Sequence, residues 1–74
     1  MINVYDYEYA GKIRLTTVNN DIYVGQAWNV VDKDYGVDEL YPDDSLVVIF
    51  DGGNEEEFYQ KDIAIIEVLE PRKD

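Results

Sequence analysis

The sequence predicts a mainly β domain: five short, strongly bent antiparallel strands forming a small barrel, preceded by a short helix. Three observations carry this. Apolar and polar residues alternate through "KIRLTT" (12–17), the period of a half-buried strand. Turn-forming residues recur between short apolar runs, at Asn19-Asn20, at "DGGN" (51–54) and at Lys61-Asp62. The 74 residues leave room for a single domain, residues 1–74, with one thin core.

Each element follows from its residues. In residues 2–10, Val4, Tyr5, Tyr9 and Ala10 have helical spacing, whereas Tyr5, Tyr7 and Tyr9 alternate as a strand would. Asn3 as a cap and Asp6 in the first turn favour a turn or two of helix. Ile13, Leu15 and Thr17 form the inward row of the first strand. Val18 to Asp21 make the turn, because Asn tolerates a positive φ. "IYVGQAWNVVD" (22–32) is one long strand, and Gly25 within it marks a sharp bend or a close backbone approach. "KDYGVDELYPDDS" (33–45) is a polar connection in which Val37, Leu40 and Tyr41 suit one helical turn ended by Pro42. "LVVIF" (46–50) is an inner strand, followed by the hairpin signal "DGGN". "EEEFYQ" (55–60) is the fourth strand and "IAIIEVL" (63–69) the fifth, closed by Pro71. Tyr23, Phe50 and Phe58 are core candidates. Trp28 falls on the opposite strand face from Tyr23, as core or subunit interface in a bent strand.

Charge bears on function more than any motif does. Seventeen acids against six bases give a formal net charge of −11, which repels nucleic acid and anionic membranes. The acids concentrate from Asp32 to Glu57, a stretch whose one base is Lys33. A hydrophobic fraction of 46% argues against disorder in spite of this charge. The N-terminus lacks a basic stretch followed by an apolar run, and no apolar run could cross a bilayer as a helix. With no Cys, these features imply a cytoplasmic setting.

The pattern resembles the SH3-type barrel of the Sm-like (LSm/Hfq) family, over residues 3 to 69. Ile13, Leu15 and Thr17 match the alternation of the family's first motif, Asn19-Asn20 its tight turn, Tyr23 its aromatic and Gly25 its glycine. Asp32 resembles the motif's Asp but lies one residue late, implying a bulge or insertion. Phe58, Ile63 and Ile66 keep the spacing of the second motif. The chain looks most like the small Sm-like proteins of bacteria and their phages. The residues that hold a uridine in RNA-binding members do not carry over. Asp34 and Gly36 stand at the stacking and base-reading places, or Lys33 and Tyr35 if the count is shifted, and Tyr59-Gln60 replaces Arg-Gly. The family's ring pairs the fourth strand of one subunit with the fifth of the next. Glu55-Glu56-Glu57 on that strand opposes such pairing, so a monomer or dimer is expected rather than a ring.

Chemistry has few candidates. Without His or Cys, and with Ser45 the sole serine and no base near it, the chain is not expected to be an enzyme. Asp32, Asp34, Asp38 and Asp43 have oxygen-ligand spacing, but Val37 and Asp43 stand where a calcium loop needs Gly and Glu. A solvated acidic loop is the simpler reading, and neither a metal nor a cofactor is expected. Tyr35, Asp38, Glu39, Tyr41, Asp43 and Asp44 combine aromatics with acids and are the candidate partner-binding residues. The expected function is a non-enzymatic interaction module whose partner is a protein with a basic patch. Two alternatives belong to other classes: an RNA-binding LSm-type ring, and an acidic mimic of nucleic acid that inhibits a DNA- or RNA-binding protein.

Overall fold

A computed structural model describes residues 2–33 and 43–72. Five strands, β1 (Gly11–Thr17), β2 (Ile22–Val31), β3 (Ser45–Ile49), β4 (Glu55–Tyr59) and β5 (Ile63–Pro71), form one antiparallel sheet in the order β4-β3-β2-β1-β5. The edge strands β4 and β5 are consecutive in the chain and joined by a single 3-10 turn, Gln60–Asp62. Edges of a flat five-stranded sheet would lie about 19 Å apart. Four residue steps, from Tyr59 to Ile63, reach at most about 14 Å even when extended. The sheet must therefore curl, and the result belongs to the small barrel-like class.

The predicted helix is a single 3-10 turn, Val4–Tyr7, capped as the sequence suggests: the Asn3 side chain accepts from the Tyr5 N–H at 3.1 Å. Val4 is fully buried, and its N–H donates to Gln60 Oε1 at 3.0 Å, fixing the turn to the β4–β5 corner. Ile13 and Leu15 of β1, Leu46 and Val48 of β3, Phe58 of β4 and Ile63 and Ile66 of β5 complete the core with Ala27. Tyr23 and Phe50 pack against it half-buried, the Tyr23 ring 4.8 Å from that of Phe58 and 6.1 Å from that of Phe50.

Local backbone devices set the curvature. Asn20 has φ 69° in the β1–β2 turn, and Gly52 and Gly53 have φ 91° and 87° in the β3–β4 turn. These are left-handed conformations that Asn and Gly adopt most readily. Gly25 is needed for space instead: a Cβ there would stand 2.7 Å from the carbonyl oxygen of Ile49 and 2.8 Å from Val48 Cγ1. β2 carries a bulge against β3. Ala27 pairs with Val48 but Val30 with Leu46, so β2 takes three steps where β3 takes two. Two further register shifts, which leave Leu69 and Ala64 as extra residues, bend β5 along β1.

Trp28 is not core. It sits in the bulge, 46% exposed, on the outer face with Ile22 and Val24. The residues before β1 clamp this bulge: Tyr9 N–H donates to the Trp28 carbonyl at 3.0 Å, and Val30 N–H donates to Glu8 Oε2 at 2.9 Å. Tyr9 meets this geometry with φ 55°.

Candidate interaction surface

Of the six residues singled out from sequence, Tyr35, Asp38, Glu39 and Tyr41 lie outside the described residues, as does the expected turn of Val37, Leu40 and Tyr41 before Pro42. Asp43 and Asp44 are half-buried, and their carboxylates already hold backbone. Asp43 Oδ2 accepts from Lys61 N–H at 2.8 Å, capping the 3-10 corner, and its Oδ1 accepts from Asp44 N–H at 2.9 Å. Asp44 Oδ1 accepts from Lys33 N–H at 2.9 Å, tying the two ends of the connection together. The acidic connection is thus anchored where it enters β3.

A second acidic feature lies beside β4. A groove of about 270 Å³ runs between this strand and the β1–β2 turn. It is lined by the aromatic residues Tyr23, Phe58 and Tyr59 together with the acids Asp21, Glu56, Glu57 and Asp62. Strand alternation explains the mixture. Glu56 and Phe58 share one face of β4, so on that face a carboxylate comes just before the buried ring. The β1–β2 turn is held against the corner by Val18 N–H, which donates to the Asp62 carbonyl at 2.9 Å. Thr17 Oγ1 braces the turn from inside, accepting from the N–H groups of Asn19 and Asp21. The sequence signal for this groove was present in "EEEFY", whose alternation places Glu56 with Phe58. The participation of Asp21 and Asp62 depends on the curl and is not visible locally.

A third feature is a hollow of about 370 Å³ around Tyr9, Trp28 and Arg72. The two rings meet edge-on with centroids 5.3 Å apart, and the Arg72 guanidinium stands 5.4 Å from the Tyr9 centroid. The Arg72 N–H donates to the Ala10 carbonyl at 3.1 Å, so this cation is fixed at its backbone. Nearby, Tyr5 Oη donates to Asp32 Oδ2 at 2.6 Å. This hydrogen bond to a carboxylate, reinforced by partial desolvation and by the negative charges of Asp32, Asp44 and Glu8, pushes the Tyr5 hydroxyl from 10.0 up to about 12.

The outer face of β5, β1 and β2 carries Ile65, Ile22 and Val24 around an ion pair in which Arg14 Nε and Nη2 donate to the two oxygens of Glu67 at 2.9 and 3.0 Å. Among the described residues no group of three or more acidic side chains is placed to hold a metal ion, and no helix is long and apolar enough to cross a membrane. Comparison of the chain with protein-family models, with curated proteins and with solved structures finds no match.

Proposed function

We propose that the chain is a non-enzymatic, Sm-like interaction module that binds a protein partner through a basic segment of that partner. The observation that carries this is the β4 groove, lined by aromatic rings and carboxylates together, on a chain of net charge −11. Lysine and arginine bury their aliphatic stems against aromatic faces while their charged ends reach carboxylates. Long-range attraction from the whole acidic surface would speed such an encounter. The Sm-like part of the reading draws support from the N-terminal 3-10 turn, the five-strand order and the bulge that absorbs the late Asp32. A non-catalytic role is in keeping with a chain that has no His or Cys and whose one serine, Ser45, is buried. The absence of Cys also suits a cytoplasmic setting.

Fluorescence anisotropy with a lysine- and arginine-rich peptide and with a uridine-rich RNA, each at low and high salt, tests the reading. The peptide is expected to bind and to weaken steeply as salt rises, and the RNA to show no binding. Tighter binding of the RNA than of the peptide would reverse the assignment in favour of an RNA-binding ring.

A further inference from the structure

We infer that the free edge of β4 accepts an extended lysine- or arginine-rich segment as an added strand, so that main-chain hydrogen bonds supply the docking and the glutamates select the charge. The inference rests on the basic-partner reading above and specifies where and how that partner is held.

The backbone identifies the free groups. Among the described residues β4 is bonded to β3 alone and ends the sheet. Gln60 N–H donates to the Asp44 carbonyl on the β3 side. In an antiparallel pair the residues facing the partner alternate, so Phe58 and Glu56 also turn their N–H and C=O toward β3. At the other end, Phe50 N–H donates to the Asn54 carbonyl at 2.7 Å, in the same phase. The N–H and C=O groups of Glu55 and Glu57 and the N–H of Tyr59 therefore point away from the sheet, while the Tyr59 C=O, at the N-cap of the Gln60–Asp62 turn, accepts that turn's first bond. They form a ladder ready for one more strand.

The side chains decide which strand fits. Glu57 lies on one face of β4 and Glu56 on the other, both exposed, so an added strand meets a carboxylate on either face. On the groove side Asp21 and Asp62 add to Glu56, and the half-buried Tyr23 ring gives a lysine stem an apolar contact. A second copy of the chain would bring another net charge of −11 to this edge, which disfavours it as the occupant. The opposite edge of the sheet, β5, exposes Ile65, Val68 and Leu69, and its Glu67 and Glu70 are already paired with Arg14 and Lys12.

The experiment is amide hydrogen exchange by NMR on the labelled chain, with and without a capped seven-residue peptide of alternating Lys and Thr at low salt. Exchange at Glu55, Glu57 and Tyr59 is expected to slow by about tenfold or more at saturation, while Glu56 and Phe58, already bonded to β3, are unchanged. Replacing both Glu55→Gln and Glu57→Gln, at exposed positions that leave the fold intact, is expected to weaken the peptide severalfold at low salt and little at high salt. Peptide binding without slowed exchange at those three amides overturns the added strand and leaves the basic-partner reading standing. Failure of the peptide to bind at low salt overturns both. Concentration-dependent slowing at the same amides without peptide makes a second copy the occupant and also overturns the inference.

Discussion

Gly25 offers the sharpest test of how the barrel is built. A methyl group there would stand 2.7 Å from the Ile49 carbonyl oxygen, 2.8 Å from Val48 Cγ1 and 3.1 Å from Phe50 Cδ1. The first of these is backbone within β3, and Val48 is itself fully buried, so neither can step aside without moving the strand. Overpacking of this kind costs about 1–3 kcal/mol. Loss of glycine's freedom in the unfolded chain offsets about 0.4–1 kcal/mol. Gly25→Ala should therefore destabilise by about 1–2 kcal/mol, and Gly25→Val by more, since it adds two further methyls to the same space. For a domain of this length each kcal/mol lowers the melting temperature by about 4–8 °C. Thermal and urea denaturation followed by circular dichroism measure this, with Gly52→Ala as the contrast. At Gly52 nothing lies within 4 Å, so the penalty comes only from holding φ 91°. A melting temperature for Gly25→Ala within about 2 °C of the parent, outside the shift expected per kcal/mol, would refute the close approach of β2 to β3.

Three further outcomes follow from the same structure. Tyr5 titrates at about 12 because Asp32 holds its proton, so the stability it contributes is fully present below pH 10 and is lost as pH rises through 12. Ultraviolet titration of the parent against Asp32→Asn should show one tyrosine moving down toward 10. Arg14→Ala should cost less than about 1 kcal/mol in low salt and less again in high salt, because both partners of its ion pair are about half exposed. Ser45→Ala should leave the urea midpoint unchanged or raised, because Ser45 Oγ is buried with no hydrogen-bond partner among the described residues.

Much of the fold was legible because its signals are local. The alternation of Ile13 and Leu15, the capping of Tyr5 by Asn3, the positive φ of Asn20 and of the paired glycines, and the crowding at Gly25 each depend on a few neighbouring residues. The helix reading was right in place but reduced in kind, since the element is one 3-10 turn. What the sequence could not carry was register. The bulge at Trp28 depends on how β2 meets β3. The pairing of Arg14 with Glu67 spans 53 positions and depends on the β5 shifts at Ala64 and Leu69. The same limit applies to function. Asp43 and Asp44 are candidate partner-binding acids in the sequence, and their bonds to the backbone of Lys61, Asp44 and Lys33 could not be read from it. The β4 groove needed Asp21, Glu56 and Asp62 from three separate elements to be brought together by the curl.

The most direct test of the central claim, an acidic protein-binding module rather than an RNA-binding ring, is solution mass by light scattering after gel filtration, with and without a uridine-rich RNA. With a chain mass of 8.6 kDa, a monomer or dimer whose mass the RNA does not change is expected. A species of six or seven chains that gains mass with RNA would contradict it.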